Sequence, residues 1–243
     1  MNPLFLKDAI QFHPCLNRKI WGPENMLPEV RDDLLLIMED FKDFLGVDDL
    51  YIVDVTVSGS MAAYTYTPHS DIDLHLVVRI PESQGTMYTE LFDAKKSLYN
   101  LTRNITVRGY DVELYVQNVN DPVKSMGIYS VLRDTWIDYP KRIRADIDDM
   151  SVLSKVDLYT VAIMNCLDGT DLAEAQTIWD SYREMRKSGL ARGGEFSPEN
   201  LAFKIIRTRG LSKKLYDHIL SLRDRELSLE HIEEQRRLDA LKK

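Results

Sequence analysis

Between residues 28 and 46 the apolar positions recur every three or four residues, with Leu34, Leu35, Met38, Phe41 and Leu45 sharing one face. Pro28-Glu29 opens the segment and Gly46 closes it, which predicts an amphipathic helix with a defined start and stop. The stretch LYIVDVTVSGS is rich in β-branched residues and ends on Gly59-Ser60, so it predicts a strand running into a tight turn. MAAYTYT then predicts a short helix before Pro68. DIDLHLVV alternates strictly, placing Ile72, Leu74 and Leu76 on one face and Asp71, Asp73 and His75 on the other. From about Thr86 to Asn104 the helical spacing returns, with Met87, Leu91, Ala94, Leu98 and Leu101 in register as its apolar stripe. YDVELYV is a second alternating strand, with Asp111, Glu113 and Tyr115 on one face.

After about residue 140 the strand pattern stops. Residues 144–167, 171–188, 198–208 and 211–241 read as helices, separated by Asp168-Gly169-Thr170, by Ala191-Arg192-Gly193-Gly194 and by Gly210. Ser197-Pro198 is a cap followed by a first helical position. The pattern predicts an α+β chain: a small mixed sheet with flanking helices over residues 1–140, followed by an all-helical part over 141–243. The boundary is expected near Tyr139-Pro140, and a core continuous across it is the other arrangement the pattern allows.

Composition changes this picture little. The 243 residues are 44% hydrophobic and 29% charged, which excludes disordered and low-complexity classes. No apolar run approaches the roughly 18 residues of a membrane span, so no membrane partner is expected. The opening MNPLFLKDAIQFHPCLNRK is charged and lacks the features of a signal peptide. Cys15 and Cys166 are too few for a disulfide framework or a zinc site, and a reduced, cytoplasmic chain is expected.

Charge adds more. The net of -8 is uneven, since residues 1–180 carry 16 Lys and Arg against 29 Asp and Glu, whereas residues 181–243 carry 15 against 10. An acidic body with a basic tail raises the question of an anionic partner. In that tail Lys204, Arg207, Arg209, Lys213 and Lys214 crowd around Gly210. They could close over a triphosphate or grip an RNA backbone. Equally they could form a solvated helix face, because Phe203, Ile206 and Leu211 supply an ordinary apolar side.

The chemistry concentrates in Ser58-Gly59-Ser60, then Asp71-Ile72-Asp73, then Asp111 and Glu113 on a later strand. Gly59 permits close backbone approach, and Ser60 at the start of a short helix would suit an anion. Two carboxylates at i and i+2 on a strand point the same way, and such a pair is poorly stable without a cation. Oxygen-only ligands facing phosphates are what Mg²⁺ prefers, and a third carboxylate would complete a two-metal arrangement. A D-x-D strand alone is more often a solvated sheet face, and a Gly-Ser alone is a turn. The ordered conjunction carries the weight. His75 could order Asp73 or touch a bound phosphate, although a surface histidine is the plainer expectation. Tyr64, Tyr66 and Tyr115 could stack a base or simply pack. Glu195-Phe196-Ser197 could be a hinge or a contact loop.

SGSMAAYTYTPHSDIDLHLVV resembles the signature of the nucleotidyltransferase superfamily, whose members include DNA polymerase β and the CCA-adding enzymes. More narrowly, the chain is similar to uncharacterised nucleotidyltransferase-like proteins of tailed bacteriophages, with DVELYVQ, IYSVLRDTWIDYP and GGEFSPENLAFKIIRTRGL as further blocks. The resemblance implies a minimal mixed sheet, Mg²⁺ (or Mn²⁺) and an NTP donor such as ATP. By matching positions it implies that Gly59 and Ser60 hold the β- and γ-phosphates and that Asp71 and Asp73 bind metal. Glu113, flanked by Val112 and Leu114, fits the third carboxylate better than Asp111. The expected activity moves a nucleoside monophosphate onto an acceptor hydroxyl of RNA, protein or a small molecule, with the helical part shaping the sites. A binding module that retains the fold, or pyrophosphate transfer as in alarmone synthetases, are the rivals. Arg225 and His231 match the loose Arg-to-His spacing of HEPN ribonucleases, but their flanking sequence does not support it.

Overall fold

The fold is known from a computed structural model that describes residues 6, 9–47, 50–80, 85–121, 125–143 and 145–241. It divides into two compact units, one spanning Ile10–Arg144 and the other built on Ala145–Lys243.

In the first unit, helix α1 (Pro28–Leu45) begins at its proline and ends on Gly46, whose left-handed backbone lets its N–H return to the Asp43 carbonyl. Its stripe Val30, Leu34, Met38, Phe41 and Leu45 is buried. Then come β1 (Ile52–Ser58), a single 3₁₀ turn (Ser60–Ala62), β2 (Ile72–Val78), α2 (Gly85–Thr102), β3 (Thr106–Val107), β4 (Tyr110–Asn118), β5 (Ile128–Ser130) and β6 (Thr135–Asp138). These strands make one mixed sheet in the order β3-β4-β2-β1-β5-β6. Among the described strands only β2 and β4 run parallel, joined through α2, because a parallel neighbour needs a crossover long enough to hold a helix.

Strand alternation sorts the two faces of this sheet. Val55, Val57, Ile72, Leu74, Leu76, Val78, Val112, Leu114 and Tyr129 join the core that includes Leu34, Phe41, Phe92 and Tyr99. Full burial of each large side chain there contributes about 1.5–3 kcal/mol. The opposite face carries Asp54, Thr56 and Ser58 of β1, Asp73 and His75 of β2, and Glu113 and Tyr115 of β4, as the pairing register requires.

The second unit is helical: α3 (Asp149–Leu167), α4 (Leu172–Gly193), α5 (Pro198–Thr208), α6 (Leu211–Leu227) and α7 (Leu229–Leu241). Asp148, Asp171 and Ser197 cap α3, α4 and α5 through their side-chain oxygens. Helix α3 packs against α4, α5 and α6. By length and composition alone α3 is apolar enough to cross a membrane, yet its Val152, Val156, Ile163 and Cys166 are buried in this bundle.

The structure corrects several expectations. The short helix after Ser60 is one 3₁₀ turn of three residues. The stripe expected to bury α2 is exposed, with Met87 at 59% and Leu101 at 83%, while Phe92 and Tyr99 go inward. Aromatic bulk decides this: the Tyr99 ring meets Phe41 and Phe44 edge-on at 5.0 and 5.2 Å, and its hydroxyl donates to Asp40 Oδ2 at 2.6 Å. Strands β3, β5 and β6 were not expected, since each is only two to four residues long. Helix α4 runs through Ala191-Arg192 and stops at Gly194, whose positive φ ends it, and the last helix breaks at Ser228 into α6 and α7.

Candidate active site

Strand register builds the site. Asp73 stands level with Ser58 on antiparallel β1 and level with Glu113 on parallel β4. Ser58, Asp73 and Glu113 therefore form one row across three adjacent strands, with neighbouring strands about 4.8 Å apart. His75 lies in the next row, between Thr56 and Tyr115. Asp71 precedes β2 by one residue, and Asp111 pairs with Thr106 of β3, one row further along and exposed. The register thus brings Asp73 and Glu113 side by side and leaves Asp111 outside their row.

Gly59 follows the row at the end of β1. Its backbone has φ 74° and ψ -162°, a region that only glycine adopts without strain. A β-carbon at that position would lie 1.9 Å from Asp73 Oδ2, so the carboxylate rests directly against the glycine. The Gly59 N–H donates to Ser125 Oγ at 3.0 Å. On the far side of the turn, a β-carbon on Gly127 would come within 2.1 Å of the Ala62 carbonyl oxygen. Two glycines thus hold the Ser60–Ala62 turn close between β2 and the segment leading into β5. The Ser60 hydroxyl is hydrogen-bonded to that of Ser70 at 2.8 Å, and Ser70 Oγ accepts from the Thr67 N–H.

His75 is not a surface histidine. It is buried, its Nε2 lies 3.0 Å from Ser58 Oγ, and its ring stacks on Tyr115 with 4.9 Å between centroids. Burial, with a smaller contribution from Lys96, lowers its pKa to about 4, so the ring is neutral at pH 7. Lys96 lies 5.0 Å from the centre of the Tyr115 ring. Asp54 is a buried carboxylate on the same face; it accepts from Ser130 Oγ at 2.7 Å and from the Val55 N–H, and pairs with Arg133. Sequence reasoning missed Asp54, Ser125 and Gly127, and named Ser58 without its contact to His75, because these roles depend on partners far along the chain.

The donor set of Asp71, Asp73 and Glu113 offers only oxygen, which suits a hard divalent cation. As the side chains stand, no group of three or more His, Cys, Asp or Glu converges to hold a metal among the described residues.

Other candidates are placed as follows. The ring of Tyr66 is stacked by His13 at 3.8 Å between centroids, which occupies a face a base would need. Tyr64 is faced by the Arg142 guanidinium at 5.1 Å. Lys204 and Arg207 lie on α5, Arg209 at its end, and Lys213 and Lys214 on α6, where Lys213 pairs with Asp217 at 2.9 Å. Glu195-Phe196-Ser197 leads into α5 and caps it: Ser197 Oγ accepts from the Asn200 N–H, and Asn200 Nδ2 donates to the Glu195 carbonyl at 2.7 Å. Arg225 is exposed in the last turn of α6, and the His231 side chain lies outside the described residues.

No family model matches the chain, and no curated protein does. Among solved structures it is similar to the STING-associated CdnE c-di-GMP synthase from Capnocytophaga granulosa, with 12% identity over 83% of this chain and 84% of that one. The TM-score is 0.23, too low for that likeness to fix either fold or function.

Proposed function

We propose that the chain is a metal-dependent nucleotidyltransferase that moves a nucleoside monophosphate from an NTP to an acceptor hydroxyl. The single observation that supports this reading is the row Ser58–Asp73–Glu113 ending at Gly59, with the Asp73 carboxylate against the glycine. It sets two carboxylates side by side next to a turn stripped of side-chain bulk, where a phosphate chain could approach the backbone.

In this reading Asp71, Asp73 and Glu113 would hold Mg²⁺ or Mn²⁺. The cation would supply charge neutralisation at the phosphates and would favour ionisation of the acceptor. Glu113 takes the acceptor proton. The acceptor oxygen bonds to the α-phosphorus as the α–β P–O bond breaks, and pyrophosphate leaves with that electron pair. Gly59 lets the Asp73 carboxylate sit against the backbone where the β- and γ-phosphates would approach, and Ser60 would meet them by exchanging its bond to Ser70. Neutral His75 holds Ser58 through its Nε2 and does not compete for a proton near pH 7.

The test is incubation of the chain with α-labelled NTPs, Mg²⁺ or Mn²⁺, and total cellular RNA and protein. Label should move to one acceptor class, with release of pyrophosphate, and Asp71→Ala plus Asp73→Ala should abolish transfer while circular dichroism is unchanged. Retained transfer in that double variant overturns the proposal. Release of AMP from ATP would identify pyrophosphate transfer instead. A melting shift with NTP but no labelled product would identify a binding module.

A further inference from the structure

A second concave site lies in the first unit, and one of its wall residues, Trp21, donates its Nε1–H to the Met61 carbonyl in the turn that follows Gly59. It is a pocket of about 470 Å³, within the range of small-ligand sites, and Arg18, Arg142, Tyr64, Tyr139, Trp21 and Cys15 contribute to its wall. None of its lining residues is acidic, although the chain as a whole carries a net charge of -8. Two guanidinium groups without a carboxylate in the same wall make a local positive potential suited to an anion.

Arg142 and the aromatic rings are held in place. Arg142 donates to the Pro14 carbonyl while its guanidinium faces the Tyr64 ring, and it forms no ion pair among the described residues. Arg18 is exposed and likewise forms no ion pair among them. The Tyr64 and Tyr139 side chains are hydrogen-bonded to each other, and this bond, followed by burial, raises the Tyr139 pKa. Tyr139 meets Trp136 edge-on, and Trp136 stacks on Trp21, whose Nε1–H donates to the Met61 carbonyl. The pocket is therefore lined by ordered aromatic rings and by two guanidinium groups, of which Arg142 is fixed against Tyr64 and the Pro14 carbonyl.

We propose that this pocket binds a nucleoside monophosphate, with the phosphate on Arg18 and Arg142 and the base against Tyr64 and the exposed Tyr139, which the buried Trp21 and the half-buried Trp136 back. Guanidinium forks match phosphate oxygens two at a time, and a base gains from stacking on an aromatic face whatever its sequence identity. The site stands on its own lining and does not depend on the transfer reading, since it needs neither Asp73 nor a divalent cation.

Cys15 supplies a local reporter. It is a free, half-buried thiol in the pocket wall, whereas Cys166, the other cysteine, is buried and its pKa is raised mainly by that burial. The experiment follows the rate of Cys15 alkylation by mass spectrometry in EDTA, with millimolar AMP, GMP, CMP or UMP, with adenosine, and with inorganic phosphate. At least one mononucleotide should slow alkylation about fivefold or more, as expected when ligand exceeds its dissociation constant several-fold. Adenosine and phosphate alone should protect less. Arg18→Ala, an exposed position, and separately Arg142→Ala should each weaken protection about tenfold in concentration. Asp73→Asn should leave protection intact. An unchanged rate with all four mononucleotides overturns the proposal, as does equal protection in both arginine variants. Protection by inorganic phosphate equal to that by nucleotide overturns the aromatic half of the site and with it the proposed ligand class.

Discussion

The carboxylate of Asp73 rests against the α-carbon of Gly59, so close that a methyl group there would lie 1.9 Å from Oδ2. Both partners are constrained by the contact. Gly59 also has a positive φ of 74°, which penalises any other residue independently of space. Gly59→Ala should therefore lower stability by about 1–3 kcal/mol from the backbone alone and displace the Asp73 side chain. Urea unfolding reports the first effect. Transfer activity reports the second, and under the proposed function it should fall in the folded fraction as well as through lost stability. A variant with unchanged stability and activity would show that the turn relaxes freely.

The register separates two carboxylates that alternation alone leaves equivalent. Glu113 is level with Asp73, whereas Asp111 is level with Thr106 at the far edge of the sheet. If Glu113 takes the acceptor proton, Glu113→Gln should reduce kcat about 10²–10⁴-fold. Asp111→Asn should stay within a few-fold of the parent. The reverse ranking in a steady-state assay would move the third carboxylate to Asp111.

Burial of His75 makes stability depend on pH in a defined direction. Its folded pKa is near 4, below the ordinary 6.5 that the unfolded chain retains. Between these values the unfolded state binds a proton that the folded state does not, so stability is full above pH 6.5 and declines as the pH falls towards 4. The loss approaches about 3 kcal/mol at the low end of that window. Urea midpoints at pH 7.5 and pH 5 should differ more for the parent than for His75→Gln, which can still bond Ser58 but does not titrate. Equal pH dependence in the two proteins would assign the decline to other groups.

Local periodicity and long-range pairing were not equally legible in the sequence. Helix α1 and strand β2 were, because a single periodic stripe with clear end signals leaves one solution. Burial of His75 was not, because it depends on Ser58, 17 residues away, and on Tyr115, 40 positions further on, neither of which alternation can bring near. The row joining Ser58, Asp73 and Glu113 was hidden for the same reason: each strand shows which residues share its face, but only pairing shows which rows align. Strands β5 and β6 escaped notice because three or four residues carry too little periodicity. They join the sheet through Tyr129 and Ser130, whose β1 partners Val57 and Thr56 are distant in sequence, and β6 then pairs back onto β5.

Helix α2 offers a test of which signal decided its orientation. Its aliphatic stripe Met87, Leu91, Leu98 and Leu101 is exposed, while Phe92 and Tyr99 are buried. Aliphatic spacing and aromatic volume compete on this helix, and the aromatic side is the one fixed by specific partners: Tyr99 bonds Asp40, and Lys95 donates to the Leu45 carbonyl at the end of α1. Replacing the exposed stripe, for example Leu98→Gln or Leu101→Lys, should change stability by no more than about 0.5 kcal/mol. Phe92→Ala should cost about 3–5 kcal/mol, since it opens a cavity beside the sheet. Thermal and urea unfolding of the three variants gives the ranking. A large loss from Leu98→Gln or Leu101→Lys with a small one from Phe92→Ala would mean that the aliphatic stripe, not the aromatic pair, is buried in solution.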